Sequence, residues 1–338
     1  MSNEKEPMSA CKICGNKAGN AEYSVKEMLL GTRDVFKYIE CGKCGCLQLK
    51  ELPNDMSEYY PKNYYSFSQR KNLNWKAKIN PRNRLKLLWK RSFFNGNKNL
   101  LFDSILSVLG EPGVPEWMRR TGIDVNSAIL DIGCGDGKRL SEMSDVGFRN
   151  LTGIDQFMKF SNNKKENLRL LGCSIYELEN NRKSYDLVML HHSFEHMDDQ
   201  CEVLKQISGK LKDSGCIAII IPVKSSYAWE KYRTNWFSLD APRHLFLHTL
   251  DSMKYLTEKS GLKIKSMYYD SSSQSLWGSE QYKQDIPMNS SKSYKNGLDN
   301  SIFNETDIEY FNNKAKELNA SKEGDVICFI IEKIKNSY

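Results

Sequence analysis

Between residues 127 and 222, short apolar runs alternate with longer stretches of mixed character. "AILDI" (128–132), "LTGID" (151–155), "LRLLGCSI" (168–175) and "SYDLVML" (184–190) each read as a buried strand, and "KDSGCIAIIIP" (212–222) as a turn followed by another. "KRLSEMSDVG", after the first, has helical character and ends at Gly147. "DDQCEVLKQISGKL", after the fourth, reads as a helix with Asp198 or Asp199 as its N-cap. Alternation at this pitch predicts an α/β fold built on a doubly wound parallel sheet. "GLKIKSMYYD" (261–270) and "DVICFIIEKIK" (325–335) supply the last two strands.

The flanking segments follow other patterns. Residues 70–120 carry Leu85, Leu87, Leu88, Trp89, Phe93 and Phe94, then Leu100, Leu101, Ile105 and Val108, at helical spacing. They predict one or two amphipathic helices, broken by "GEPGVPEW". Such a stripe either packs as core or, being basic, lies on a membrane surface. Over fifty residues separate the last two strands. They start rich in Ser and Asn and end in a predicted helix, "ETDIEYFNNKAKELNA". A connection this long is functional or disordered, and Trp277 and Tyr282 are expected to wall an acceptor site.

Composition narrows the class. The chain has 338 residues, 40% apolar and 27% charged, as in soluble globular proteins. No apolar run is long enough for a membrane span, and "MSNEKEPMSA" lacks the apolar core of a signal peptide. These features predict a cytoplasmic protein with no transmembrane segment. The net charge of +7 is unevenly placed: residues 59–102 contain no Asp or Glu and eleven Lys or Arg. That block is either a solvated basic face or a contact for phosphate, nucleic acid or a membrane surface, the last through residues 70–102.

"CKIC" (Cys11, Cys14) and "CGKC" (Cys41, Cys44) form two tight cysteine pairs. Thiolates two residues apart can face one tetrahedral ion, so two pairs make a closed four-sulfur zinc site of structural type. The alternatives are a redox dithiol or free thiols. Cys46 is expected to be a bystander. The remaining cysteines do not form a disulfide framework.

"GCGDG" follows a strand and precedes a helix, the layout of a nucleotide-binding unit. Gly133, Gly135 and Gly137 allow the backbone to approach a ligand closely. Asp131 precedes the loop, and Asp155 ends the next strand, where an acid can take both ribose hydroxyls. "ILDIGCGDG", Asp155, "YDLVMLHHSFEHM" and "LKDSGCIAIIIP", in this order, resemble class I S-adenosylmethionine-dependent methyltransferases. The resemblance covers roughly residues 120–338. It implies a seven-stranded, Rossmann-like sheet whose last two strands form a hairpin. It also implies S-adenosylmethionine as cofactor. Asp131, Gly133, Cys134, Gly135 and Gly137 would surround its methionine part, Asp155 and Gln156 its ribose, and Ser174 and Ile175, next to Cys173, its adenine. His191, His192 and Ser193 would stand beside the bound cofactor.

"HHSFEH" (191–196) also contains H-x-x-E-H, a metalloprotease spacing. A protease needs both histidines on one helix with a third ligand, whereas here a strand runs straight into the stretch. At the carboxyl end of a strand, Glu195 and His196 either pin the turn or face the acceptor.

Residues 223–249 are aromatic-rich, with Tyr227, Trp229, Tyr232, Trp236, Phe237 and Phe246. They suit a flat or sugar acceptor, or else pack as a lid with its own core. The paired cysteines, this core and this segment together resemble methyltransferases of deoxysugar and surface-polysaccharide pathways. In the sugar C-methyltransferases of that group, a Tyr-His-Glu-His run supplies the base. "APRH" (241–244) stands there in this chain and keeps only His244. Carbon methylation is thereby weakened, while His244 either deprotonates a hydroxyl, whose proton leaves as the methyl arrives, or serves the packing of its turn. Arg243 is expected to clamp an acceptor phosphate or carboxylate.

The expected organisation is a zinc-binding module (1–69), a basic helical linker (70–120) and a methyltransferase domain (121–338) with insertions at 223–250 and 271–324. The expected reaction is methyl transfer to a hydroxyl of a sugar or sugar-derived metabolite, nucleotide- or lipid-linked, in glycan biosynthesis. The rivals are RNA methylation through the zinc module and basic linker, sugar C-methylation, and a non-catalytic binding protein.

Overall fold

The computed structural model describes residues 10–61, 81–95, 114–158, 165–179 and 184–334. Much of the basic block, with Leu100, Leu101, Ile105 and Val108, lies outside the described residues.

In chain order the elements begin with β1 (Ala21–Lys26), β2 (Val35–Glu40), β3 (Leu47–Leu49), α1 (Pro81–Phe94), α2 (Glu116–Thr121) and β4 (Ala128–Ile132). Then come α3 (Lys138–Val146), β5 (Asn150–Ile154), β6 (Leu168–Leu171), β7 (Tyr185–His191), α4 (Gln200–Lys210), β8 (Leu211–Pro222) and α5 (Tyr227–Tyr232). The rest are β9 (Phe246–Leu247), α6 (Leu250–Lys259), β10 (Leu262–Tyr269), α7 (Gln274–Lys283), α8 (Glu305–Ala320) and β11 (Val326–Lys333). The seven-stranded sheet has the order β10-β11-β8-β7-β4-β5-β6, and a second sheet has the order β1-β2-β3-β9. The expected last pair, β10 and β11, are neighbours. No helix among the described residues is long and apolar enough to cross a membrane.

By contact density the chain divides into two units. One comprises Lys62–His191, Lys205–Ile219 and Ile330–Tyr338. Here β6, β5, β4 and β7 run parallel. Ile129, Leu130, Leu187 and Val188 are fully buried, which explains why these strands appear in the sequence as unbroken apolar runs. Helix α3 starts at Gly137 and stops at Gly147, both in the left-handed region, and buries Leu140, Met143 and Val146. On α1, Trp89 and Phe94 are buried, and Phe94 meets Phe148 edge-on at 5.0 Å. The linker stripe is therefore core at these two positions.

The other unit comprises Met1–Pro61, His192–Leu204 and Ile220–Phe329. Its four-stranded sheet is antiparallel, and its last strand is supplied from far downstream: Leu47 pairs with Leu247 and Gln48 with Phe246.

Three expectations are corrected here. Of the aromatic residues of 223–249, Tyr227 and Phe237 are half-buried and the other four present no open acceptor face. Trp229, Tyr232, Trp236 and Phe246 are at most 3% exposed and pack as core. Trp277 and Tyr282 are likewise buried, against Tyr294 and Phe237, so they wall no acceptor site. They belong to α7, which the Ser-rich sequence conceals. Its small residues allow close packing, and a Cβ on Gly278 would lie 2.8 Å from the Phe237 ring. Finally, β6 stops at Leu171 rather than Ile175. Gly172 sits so tightly on the Met158 carbonyl that a Cβ would approach it to 2.3 Å, and the chain turns there.

Candidate functional site

The register of the parallel strands fixes one edge of the cofactor side. Ile132 pairs with Ile154, and Ile154 with Leu171. Gly133, Asp155 and Gly172 therefore leave the sheet at one level. Asp131 pairs with Met189, which brings His191 out at the same level. The residues expected around the cofactor from Asp131 to His191 all follow from the carboxyl ends of these four strands, where open α/β sheets bind ligands.

The glycine loop is built for close approach. Gly133, Gly135 and Gly137 have φ of 75°, 56° and 73°, a region costly to any residue with a Cβ. A Cβ on Gly137 would also strike Leu170 at 2.6 Å. The Gly133 and Cys134 amides donate to the Ile154 carbonyl at 2.8 and 3.1 Å. The Asp155 carboxylate accepts from the Gly135 amide at 3.0 Å and the Phe157 amide at 2.9 Å. Each carboxylate oxygen keeps a further lone pair, as a ribose partner needs. Ser174 is held by Glu177, its amide donating at 2.7 Å, and Ile175 is buried.

Asp131 is 3% exposed, and burial pushes its carboxyl up to about 7, with Arg139 pulling it down and Asp155 pushing it up. A cationic ligand would reverse that shift. S-adenosylmethionine carries both an ammonium and a sulfonium, so the donor set fits it. We expect its affinity to rise roughly tenfold between pH 6 and pH 8 as Asp131 ionises, and Asp131→Asn to flatten that profile. Calorimetric titration across this range checks it; a profile unchanged by Asp131→Asn would remove the residue from cofactor binding. The ligand-free protein responds oppositely. Asp131 holds its proton more tightly folded than unfolded, so its contribution to stability is complete below about pH 4 and is lost as pH rises through 7.

In the other unit, "HHSFEH" is no protease helix. His192 has φ 52°, and Phe194–His196 form a single 3-10 turn. Glu195 is fully buried and central. Its Oε1 lies 3.3 Å from His192 Nδ1 and 3.9 Å from His244 Nε2, while Oε2 has no hydrogen-bond partner. Burial alone would raise the Glu195 carboxyl. The His192 hydrogen bond and the neighbouring His196 and His244 more than offset it, holding the group down at about 2.

His196 donates Nδ1–H to the Arg243 carbonyl at 2.8 Å, and His244 donates Nδ1–H to the Ser238 carbonyl at 2.7 Å. The two rings meet edge-on with centroids 4.8 Å apart. Burial, together with His196, lowers His244 to about 4, leaving it neutral near pH 7. The Tyr38 hydroxyl donates to the His244 carbonyl at 2.8 Å, and the Leu245 amide to the Glu195 carbonyl at 2.8 Å. The expected acceptor-side residues His244, His196 and Glu195 are thus brought together.

Arg243 is corrected. It is fully buried and offers nothing to an acceptor. Its guanidinium donates to Asp240 at 2.7 and 3.0 Å, to Glu27 at 2.7 Å and to the Tyr59 carbonyl at 3.3 Å. Glu27 also accepts backbone N–H groups from Leu29, Leu30, Gly31 and Thr32. Sequence reasoning missed both acids. Asp240 carries a usable signal, its i,i+3 spacing to Arg243; Glu27, 216 residues away, carries none.

The four paired cysteines converge. Cys11 and Cys44 sulfurs are 3.7 Å apart, Cys14 and Cys41 3.5 Å, and all four lie within 4.8 Å of one another. Zinc–sulfur bonds of about 2.3 Å set tetrahedral edges of about 3.8 Å, so the donor set fits zinc. Both pairs fold as the same knuckle. Gly15 and Gly45 are left-handed, their amides donating to the Cys11 and Cys41 carbonyls at 2.8 and 2.9 Å. The amides of Lys43 and Cys44 point at the Cys41 sulfur. Cys46 is buried outside the group, which raises its thiol.

Residues 106–266 match the methyltransferase domain family. Two curated relatives align locally. The EEF1A lysine methyltransferase 2 of Danio rerio is 55% identical over 42 residues, which is 12% of this chain and 18% of that protein. The Homo sapiens protein of the same name is 46% identical over 39 residues, 12% of this chain and 16% of that one. The chain thus spans less than a fifth of the length of the curated relatives it matches. Among solved structures, a SAM-dependent methyltransferase from Archaeoglobus fulgidus is 21% identical, covering 73% of this chain and 99% of its own, with a TM-score of 0.41. An S-adenosylmethionine-dependent methyltransferase from Mesorhizobium loti is 14% identical, covering 66% and 99%, with a TM-score of 0.42.

Proposed function

We propose that this chain is a class I S-adenosylmethionine-dependent methyltransferase that transfers the methyl group to a hydroxyl of a sugar or sugar-derived metabolite, with zinc holding its cysteine knuckles together. The cofactor supplies an electrophilic methyl. The residues from Asp131 to His191 hold it: Asp131 balances its positive charge and Asp155 takes the ribose. The remaining need is on the acceptor. A neutral hydroxyl must lose its proton as the carbon–oxygen bond forms. The observation that carries this reading is the cluster of Glu195, His196 and His244, two of them buried, in which both Nδ1 atoms are spent on backbone carbonyls and the other ring nitrogens are left for the acceptor. Such a cluster can hold the positive charge that methylating a hydroxyl displaces. Withdrawing Arg243 from the acceptor leaves phosphate recognition to other residues.

A second reading, protein lysine methylation, draws support from the names of the two partial relatives, over about an eighth of the chain. One experiment separates the two. Radiolabelled methyl from S-adenosylmethionine is offered to extract of the source cell fractionated into nucleotide sugars, glycan, RNA and protein. Label in the nucleotide-sugar or glycan fraction is expected, and it should disappear with Glu195→Gln. Label confined to protein and recovered as methyl-lysine would replace the hydroxyl reading with the second one; label abolished by RNase would replace both.

A further inference from the structure

We propose that Glu195, His196 and His244 form a second metal site, which binds a divalent first-row transition ion with coordination positions left open for an oxygen ligand. One nitrogen of each ring and one carboxylate oxygen lie within 4.8 Å of one another. Both Nδ1 atoms are committed as donors to backbone carbonyls, so Nε2 is what each ring has left to offer. That is the arrangement metal-binding histidines adopt, with the second nitrogen fixing tautomer and orientation. Two imidazoles and one carboxylate make an open site suited to zinc, iron, cobalt or manganese, in contrast to the closed four-sulfur site.

Charge supports the same assignment. Glu27, Asp240 and Glu195 are three carboxylates in contact with Arg243 or with His244, and Arg243 is the one guanidinium among them. Three carboxylates thus face one guanidinium, with His192 Nδ1 3.3 Å from Glu195 Oε1 as a further partner. Asp240 lies 3.8 Å from His244 Nε2, but both its oxygens already serve Arg243. Glu195 Oε2 is buried without a partner. A divalent cation held by the three ligands would add positive charge beside these carboxylates, whose burial is otherwise costly. What fills the open positions rests on the methyl-transfer reading. There it is the acceptor hydroxyl, which an ion acting as Lewis acid ionises, its proton passing to solvent without electron transfer.

The test is cobalt titration of the full-length protein with its four-cysteine site preloaded with zinc. Expected is one further Co2+ per chain, showing weak d–d bands without thiolate charge transfer, and bound at least tenfold more weakly by Glu195→Gln and by His244→Ala. Circular dichroism and zinc content certify that each variant is folded, and His196→Gln replaces any that is not. Uptake only with thiolate charge transfer, or uptake unchanged in the folded variants, overturns the site. The readout needs no methyl transfer. A failed cobalt titration with label still entering sugar removes the metal alone; successful uptake with label entering protein removes the hydroxyl acceptor alone.

Discussion

Cys41→Ser is expected to lower the zinc content of the purified protein by one equivalent per chain and to unfold the segment that holds the knuckles. Cys46→Ser should leave the zinc content unchanged. Structural zinc contributes about 10–16 kcal/mol to the folding of small zinc modules, on the scale of a whole domain's net stability. The reason is local. β3 has three residues and β9 two, so beyond the β1–β2 hairpin this sheet has little ladder of its own. The knuckles fix the chain at both ends of the β1–β2 hairpin, with Cys11 and Cys14 before it and Cys41 and Cys44 after it. The measurement is elemental analysis with a thermal melt. Equal zinc in wild type and Cys41→Ser would show that the four thiols hold no metal, leaving a redox or free-thiol role.

Arg243→Ala should cost about 3–5 kcal/mol of stability, the range found when one partner is taken from a buried ion pair. The arginine is fully buried and serves two carboxylates. Burial would lower its pKa, but Asp240 and Glu27 more than reverse that and hold it above the ordinary value. Removing it leaves both acids without a counter-charge. Glu27 keeps its four backbone donors. Asp240 has less to fall back on, because Arg243 is the main group holding its pKa down against burial. The double variant Glu27→Gln, Arg243→Met should therefore recover part of the loss. Denaturant unfolding reads both. A loss under about 1 kcal/mol would put this pair with exposed salt bridges, against its burial.

The parts of this molecule that were legible in sequence share a physical cause: their information is local. Buried parallel strands leave contiguous apolar runs, so β4, β5 and β7 fall within a residue or two of their expected bounds, whereas β8 begins at Leu211, ahead of the stretch expected to turn. Left-handed turns need glycine, so the "GCGDG" loop and both cysteine knuckles announced themselves. What was not legible depends on distant partners. Nothing around Arg243 in sequence says that Glu27 occupies its guanidinium. Its expected role as an acceptor clamp was reasonable chemistry that a buried contact removes. The aromatic stretch 223–249 reads the same whether it faces a ligand or a core, and only burial decides. Helix α7 hides because serine and glycine, usually signs of a loop, here let it approach Phe237.

Strand β9 sets a timetable for the growing chain. On the ribosome the β1–β2 hairpin and β3 emerge early, and both cysteine pairs with them, but the strand that closes their sheet is synthesised about two hundred residues later. Glu27 waits as long for Arg243, and Tyr38 for the carbonyl of His244. Closing so long a loop costs little extra entropy once the partner exists, because the penalty grows only with the logarithm of length. The delay lies in translation, which at about 5–20 residues per second leaves the nascent segment incomplete for roughly 10–40 seconds. Metal captured by the knuckles during that interval would keep the early hairpin in register until its last strand arrives.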